Sequence, residues 1–151
     1  MARLRILLAD DHPQILMLLK TLLEPDYHVV GTAKDGASLI EAARALKPDL
    51  VLTDVDMPAL NGLDAVRQLH QLLPGCRVIV HSSHSERDLI ATALEAGASA
   101  FLIKGSSQSL LSSIRTAVSH VWSNQEALAG EPASTYHPSQ SRPHSSPFLA
   151  N

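Results

Sequence analysis

The chain has 151 residues, of which 45% are hydrophobic but only 3% aromatic, so it can bury one core of ordinary domain size built from Leu, Ile, Val and Ala. Its formal net charge of -3 gives no electrostatic footprint for nucleic acid or an anionic membrane, and no segment is long and apolar enough to span a bilayer. Cys76 is the only cysteine, which excludes an internal disulfide. The short apolar run near the N-terminus lacks a cleavage site of small residues, so we expect a cytoplasmic protein that binds neither nucleic acid nor membrane.

Short apolar runs alternate with segments of helical periodicity as far as Trp122. The apolar runs predict five buried strands, at residues 4–9, 29–33, 50–53, 78–80 and 100–103. Apolar residues spaced by three and four predict five helices, at residues 15–23, 39–46, 63–73, 89–94 and 110–121. Pro25, Pro48 and Pro74 end the first three helices.

This alternation predicts βαβ units around a parallel sheet. Right-handed crossovers leave few topologies, and five strands with five helices favour an α/β, doubly wound, flavodoxin-like (βα)5 fold with strand order 2-1-3-4-5. In such folds the sites lie at the carboxyl ends of the strands. We therefore expect five polar residues at or just beyond strand ends to meet at one edge of the sheet: Asp10, Asp11, Asp54, Ser82 and Lys104.

The alternation stops after Trp122. Residues 123–151 are rich in Ser and Pro and lack a sustained apolar period, which is typical of a disordered tail. We therefore divide the chain into a domain of residues 1–122 and a tail of residues 123–151, and we expect no output domain within it.

Acidic residues close two of the predicted strands. Asp10 and Asp11 follow the first strand, and Asp54 follows the third. Because close carboxylates repel one another, they need protons or a cation, and an all-oxygen site suits Mg²⁺. We expect Asp11 and Asp54 to bind Mg²⁺ directly, with the backbone carbonyl of Asp56 as a further ligand, while Asp10 acts through a water or orients Asp11. A carboxylate nucleophile in such a site indicates phosphoryl transfer to Asp54.

Two further residues could complete this chemistry. Lys104 would bring positive charge to the phosphoryl oxygens, and Ser82 would donate a hydroxyl hydrogen bond. Taken singly, a lysine after a strand is usually a solvated surface residue, and a serine there is usually part of a turn. Their shared place at one sheet edge favours the functional interpretation.

Together these residues resemble the receiver (CheY-like) domain of bacterial two-component response regulators, over about residues 4–121. The resemblance depends on an ordered set of motifs: Asp10-Asp11, then Asp54-x-x-Met57-Pro58-x-x-x-Gly62, then Ser82, then Lys104. Gly105 stands where receivers often have a proline. That glycine and the opening Asp10-Asp11-His12-Pro13 resemble the branch whose receivers precede a LuxR/NarL-type helix-turn-helix output domain.

The resemblance implies roles for individual residues. Asp54 would be the phosphoacceptor, Asp10 and Asp11 the acidic metal pair, and Lys104 the phosphate-contacting lysine. Ser82 and Phe101 would be the switch hydroxyl and the switch aromatic, although ordinary strand packing also explains Phe101. Asp56 and His84 occupy positions that tune dephosphorylation in the family. We do not expect His12 or His81 to bind metal, because an oxygen-rich Mg²⁺ site does not need imidazole.

The resemblance also implies a function. A sensor histidine kinase or a phosphotransfer protein would phosphorylate Asp54 with the help of Mg²⁺. The surface of the fourth helix, fifth strand and fifth helix would then change and control a partner or an output, transcription in this branch. Two copies could pair through that surface or through the first and fifth helices. Such a domain is not an enzyme, although it slowly removes its own phosphoryl group.

Two alternatives stay open at this point. Asp54-Val55-Asp56 resembles the Asp-x-Asp of haloacid-dehalogenase-type phosphatases, which also use an aspartyl nucleophile and Mg²⁺. Against this stand Pro58, the position of the paired acids upstream of Asp54, and the short remaining chain. The second alternative is an adaptor that keeps the receiver fold without its phosphorylation.

Overall fold

A computed structural model describes residues 3–58, 60–105 and 110–127, with side chains as far as Ser123. The strands are β1 (Arg5–Ala9), β2 (His28–Ala33), β3 (Leu50–Thr53), β4 (Arg77–Ser82) and β5 (Ala100–Ile103). The helices are α1 (Pro13–Leu23), α2 (Gly36–Leu46), α3 (Gly62–Leu72), α4 (Arg87–Ala96) and α5 (Leu110–Ala127). They follow one another in strict strand–helix alternation, as the periodicity predicts.

All five strands are parallel and lie in the order β2-β1-β3-β4-β5, which confirms the predicted flavodoxin-like sheet. Ala9 pairs with Thr53 at the ends of β1 and β3, so Asp10 and Asp54 leave the sheet side by side. Ser82 pairs with Ile103 at the ends of β4 and β5, so Lys104 follows on the same edge. The register therefore brings the carboxyl ends of four strands together.

Helices cover both faces of the sheet, and each face has its own apolar layer. One layer contains the buried faces of α2, α3 and α4, and the other contains those of α1 and α5. Alternate residues of each strand enter opposite layers, as Val80 and Ile79 do in β4. Because both faces are covered, β3 is buried along its whole length and its sequence is continuously apolar up to Thr53.

The loop after β3 folds back over Asp54 at Gly62, the first residue of α3. A Cβ at this position would lie 2.4 Å from the backbone oxygen of Asp54 and 2.4 Å from the Cα of Val55. The Gly62 N–H donates to the carbonyl of Val55 at 2.9 Å, and the side chain of Asn61 caps α3 by accepting from the N–H of Asp64. The glycine of the motif is therefore required by the close approach of two backbone segments.

Some element ends differ from the predicted ones. β4 begins at Arg77 and includes Ser82, and α4 begins at Arg87, because backbone pairing and helical turns extend past the apolar residues that predicted them. α5 continues to Ala127, beyond the predicted domain end at residue 122. Residues 128–151, which hold most of the predicted tail, lie outside the described residues, so the domain boundary stays a prediction. In the part of the chain that the structure describes, no helix combines the length and apolar character needed to cross a bilayer.

Candidate functional site

Three carboxylates and one imidazole converge at the carboxyl ends of β1 and β3. Asp10 and Asp54 are only 1% and 3% exposed, whereas Asp11 and His12 are exposed. One ligand atom from each of these four residues lies within 4.8 Å of the others. The sequence predicts the three carboxylates at this edge, and in the structure their oxygens lie within reach of one cation.

Lys104 joins the two buried carboxylates. Its Nζ lies 2.8 Å from Asp10 Oδ2 and 3.0 Å from Asp54 Oδ2, and it donates a hydrogen bond to each. Burial acts to raise the pKa of Asp10, but the hydrogen bonds from Lys104 and His12 outweigh it, and this pKa is lowered. Burial likewise acts to lower the pKa of Lys104, and its two carboxylate partners raise it overall. The site therefore holds fixed charges of both signs at neutral pH.

Backbone N–H groups fix the other oxygen of Asp54. Its Oδ1 accepts from the N–H of Val55 at 2.7 Å and from that of Asp56 at 3.2 Å. The Thr53 hydroxyl donates to the Asp54 carbonyl at 2.9 Å, which holds the start of the loop. The Asp54 carboxylate is therefore oriented from both sides, by peptide groups at one oxygen and by the Lys104 ammonium at the other.

His12 lies in the cluster, although the sequence predicts no metal-binding role for it. Its Nδ1 lies 2.9 Å from Asp10 Oδ1 and 3.0 Å from Asp11 Oδ1, and its backbone N–H also donates to Asp10 Oδ1. The hydrogen bond to Asp10, with the charges of Asp11 and Asp10, raises the pKa of His12. The signal in the sequence was adjacency, since an imidazole directly after two aspartates can fold back onto them.

Asp56 and His84, the two residues assigned a tuning role, contact each other. His84 Nε2 lies 2.6 Å from Asp56 Oδ2, and the two side chains are 45% and 59% exposed. They line an open cavity beside the loop after β3, together with Val55 and Leu89. The structure thus places one polar pair at the margin of the Asp54 site.

Ser82 and Phe101, the two residues assigned to a switch, are fully buried on adjacent strands, Ser82 at the end of β4 and Phe101 within β5. The Ser82 hydroxyl accepts from the N–H of His84 at 3.1 Å, which links the end of β4 to the tuning pair. Phe101 pairs with Val80 and lies in the layer that contains α4. Strand packing accounts for its inward position, and its switch role stays a prediction.

Residues 6–115 match the model of the response regulator receiver domain. The chain therefore belongs to this family, which comprises signalling domains of two-component systems and includes CheY-like and NarL-type members.

Curated relatives of two kinds match the chain. Chemotaxis protein CheY of Thermotoga maritima is 35% identical over 101 residues, which are 66% of this chain and 84% of that protein. Nitrate/nitrite response regulator protein NarL of Escherichia coli K12 is 41% identical over 101 residues, 66% of this chain and 47% of that protein. Transcriptional regulatory protein PdtaR of Mycobacterium tuberculosis is 41% identical over 133 residues, 85% of this chain and 63% of that protein. The chain thus spans most of the CheY length but only about half to two thirds of the lengths of the two regulators.

Solved structures agree with this assignment. The signal receiver domain of the response regulator NarL from Mycobacterium tuberculosis superposes with a TM-score of 0.68 at 28% identity, over 87% of this chain and all of that one. The response regulator domain of Thermotoga maritima CheB gives a TM-score of 0.66 at 34% identity, over 86% and 99% of the two chains.

Proposed function

We propose that this chain is a phosphoacceptor receiver domain and that Asp54 takes the phosphoryl group. The donor would be a sensor histidine kinase, a phosphotransfer protein or a small acyl phosphate. The observation that carries the proposal is the pair of constraints on the Asp54 carboxylate: peptide N–H groups hold Oδ1, and Lys104 Nζ lies 3.0 Å from Oδ2. A nucleophile fixed beside a cation suits a reaction that depends on positioning and charge neutralisation.

In the reaction, a carboxylate oxygen of Asp54 forms a bond to phosphorus while the P–N or P–O bond of the donor breaks. The electron pair of the broken bond leaves with the donor, which takes up a proton if it departs as an imidazole. The product is an acyl phosphate on Asp54. Lys104 is placed to exchange a carboxylate partner for an oxygen of the transferred group.

The donor set fits Mg²⁺. Asp10, Asp11 and Asp54 supply carboxylate oxygens within 4.8 Å of one another, and hard oxygen ligands are those that Mg²⁺ prefers. In our proposal Asp11 and Asp54 hold the ion with the backbone carbonyl of Asp56, and Asp10 orients Asp11 or acts through a water. When bound, the ion would neutralise charge shared by the carboxylates and the phosphoryl oxygens.

Membership in the receiver family argues against the phosphatase alternative, and no contact among the described residues of the site favours it specifically. The adaptor alternative predicts no need for a lysine that bridges two buried carboxylates, whereas Lys104 does bridge them. We therefore put forward phosphoacceptance alone.

We propose further that phosphorylation shifts a population between two arrangements of the surface formed by α4, β5 and α5. The acyl phosphate carries roughly two negative charges and three acceptor oxygens in place of the single charge of the Asp54 carboxylate, and Lys104 and the Ser82 hydroxyl can respond to this change. Movement of Ser82 would free space for Phe101. To move almost the whole population from one arrangement to the other, phosphorylation must favour the second arrangement by about 5 kcal/mol of free energy.

The output would be control of a partner or of transcription, since several relatives carry names of transcriptional regulators. Two copies would pair through the α4-β5-α5 surface or through α1 and α5. In this scheme the chain itself does not contact nucleic acid. It slowly hydrolyses its own acyl phosphate but does not turn over a separate substrate.

The test is covalent labelling with acetyl phosphate and Mg²⁺, followed by intact mass measurement. We expect one phosphoryl group on the wild-type chain and none on Asp54→Asn. Asp64→Asn, which removes an exposed carboxylate of α3, is the matched control and should label like the wild type. Undiminished labelling of Asp54→Asn would contradict the proposal.

A further inference from the structure

His12 lies on the exposed side of the carboxylate cluster and turns a ring nitrogen into it. Its Nδ1 is 2.9 Å from Asp10 Oδ1 and 3.0 Å from Asp11 Oδ1, while the Lys104 ammonium binds the other oxygen of Asp10, Oδ2. The side chains of His12 and Lys104 are 62% and 19% exposed. Asp10 therefore lies between a lysine and an imidazole, and the imidazole is the more accessible of the two.

Helix capping does not account for the position of this ring. His12 is the N-cap residue of α1, but its side chain makes no capping hydrogen bond. The ring instead contacts the two carboxylates that precede it in the chain. A role for the imidazole is therefore to be sought in the cluster.

The separations within the cluster are close to those of ligands on one metal ion. Two donors that each bind an ion at about 2.1 Å lie roughly 3.0–3.4 Å apart in octahedral or tetrahedral geometry. The distances from Nδ1 to the two carboxylates fall near the lower end of this range. One donor atom from each of Asp10, Asp11, His12 and Asp54 lies within 4.8 Å of the others. Small side-chain movements can therefore convert a hydrogen-bonded cluster into a set of four ligands.

The nitrogen changes which ions the cluster suits. Carboxylate and water oxygens suit Mg²⁺, whereas imidazole suits transition-metal ions such as Zn²⁺. Zn²⁺ commonly takes four ligands, drawn from His nitrogen and from Asp or Glu oxygen as well as from Cys sulfur. Three carboxylates alone would favour Mg²⁺, and the addition of His12 shifts the preference of the site toward Zn²⁺.

We propose that His12 is a metal ligand through Nδ1, and that Asp10, Asp11, His12 and Asp54 together bind Zn²⁺ or a similar transition-metal ion in preference to Mg²⁺. The sequence-based expectation that His12 does not bind metal assumed a site made of oxygen alone. On binding, the ion takes the place of the proton through which Nδ1 contacts the carboxylates. The neutral ring keeps one proton, on Nε2, and any further proton passes to solvent.

The consequence for phosphorylation rests on the proposed function. Asp11 and Asp54 would belong to both ligand sets, so the transition-metal ion competes with the Mg²⁺ that phosphoryl transfer uses. Zn²⁺ binding is measured without a phosphoryl donor, and labelling with acetyl phosphate and Mg²⁺ is measured without Zn²⁺. The failure of one proposal can therefore be distinguished from the failure of the other.

The test follows the imidazole nitrogens of the whole, ¹⁵N-labelled chain by NMR while Zn²⁺ is added at one mildly alkaline pH. We expect the Nδ1 resonance of His12 to move to the position of a metal-bound nitrogen, with the ring proton on Nε2. Saturating Mg²⁺ should raise the Zn²⁺ concentration that this change requires. His84 is the internal control, because its two ring nitrogens contact different carboxylates, those of Asp56 and Glu86, so either nitrogen offers an ion only one carboxylate neighbour. Its resonances should respond only at higher Zn²⁺ concentrations.

A variant separates metal binding by His12 from mere positioning of the carboxylates. His12→Phe keeps a ring at this exposed position and removes both nitrogens, and the backbone amides of Asp11 and Val55 report the affinity for each ion. We expect the ratio of Zn²⁺ affinity to Mg²⁺ affinity to fall at least about tenfold. A residue that only orients the carboxylates would change both affinities together. His28→Phe, at an exposed position of the edge strand β2, is the matched control and should keep the wild-type ratio.

The imidazole measurement uses the wild-type chain, so it does not depend on the folding of a variant. The proposal is overturned if Zn²⁺ leaves the Nδ1 resonance of His12 at its metal-free position, whether or not the amide of Asp11 shifts. It is also overturned if Mg²⁺ does not compete with Zn²⁺, or if His12→Phe keeps the wild-type ratio of affinities.

Discussion

Buried polar groups are paired with one another at the carboxyl edge of the sheet, whereas His81 on the neighbouring sheet face is buried without such a partner among the described residues. At the edge, Asp10, Asp54 and Lys104 are bound to one another within 3.0 Å. On β4, His81 is buried, and its Nδ1 has no hydrogen-bond partner among the described residues. A buried carboxylate without a partner is very costly, whereas an imidazole can shed its proton and stay neutral. The fold thus pairs the groups that must stay charged, and the buried group without a partner among the described residues is one that can become neutral.

The largest expected effect comes from removing the cation of the edge. Lys104→Met leaves Asp10 and Asp54 buried side by side, and we expect it to lower the free energy of unfolding at pH 7 by about 3 kcal/mol in the absence of metal. Urea unfolding measures this change. Lys34→Met, which removes an exposed lysine, is the control and should have little effect.

The same variant should also change the dependence of stability on pH. In the wild type the pKa of Asp10 is lowered, so its contribution is present above the ordinary pKa of 3.8 and is lost as the pH falls below it. Without the ammonium, Asp10 takes up a proton more readily in the folded state, because a hydrogen bond that lowers its pKa is lost. The difference in the free energy of unfolding between the wild type and Lys104→Met should therefore become smaller as the pH falls from about 7 to about 4. If this difference stays constant over the range, charge pairing is not its cause.

The second effect comes from His81 and has its own pH window. Because its folded-state pKa of about 4 lies below the ordinary 6.5, the unfolded chain binds more protons between these values. Stability should therefore fall as the pH falls from about 6.5 to about 4, by about 3 kcal/mol from this residue alone. His81→Leu should lack this component. Identical pH profiles of the wild type and His81→Leu would show that His81 is not buried as a neutral group.

The smallest expected effect on stability comes from the exposed pair at the margin of the site. His84→Ala removes the partner of Asp56, and we expect it to change the free energy of unfolding by less than about 1 kcal/mol, because both side chains are largely solvated. We expect a shorter lifetime of the acyl phosphate, because in the proposed tuning role the pair restricts the approach of water to Asp54. Decay of the labelled chain after removal of acetyl phosphate measures this, and an unchanged lifetime would remove His84 from the tuning role.

The sequence was sufficient to predict the sheet order and the meeting of the acidic residues. Asp10 and Asp54 each follow an apolar run, and parallel pairing of those runs leaves them adjacent whatever the details of packing. Lys104 could be placed at the same edge for the same reason. The alternation of strands and helices thus places these residues at the carboxyl edge of the sheet, and the strand order determines which of them are neighbours.

What the sequence did not predict depends on side-chain conformation and on packing between distant elements. His12 is exposed, and only its rotamer decides whether it contacts Asp10 and Asp11 or turns to solvent. The space around His81 is bounded by α1 and α5, which are far from β4 in the chain, so a strand pattern alone indicates burial and says nothing of an unpaired nitrogen. The last turns of α5, beyond Trp122, were also not predicted, because their residues show no apolar periodicity.

The central claim is that Asp54, and no other carboxylate of the cluster, receives the phosphoryl group. Reduction of the acetyl-phosphate-treated chain with borohydride converts a phosphorylated aspartate to homoserine, which peptide mass mapping then locates. The account predicts homoserine at Asp54 alone and only when Mg²⁺ is present during labelling. Homoserine at Asp10 or Asp11, or equal conversion after labelling in EDTA, would contradict it.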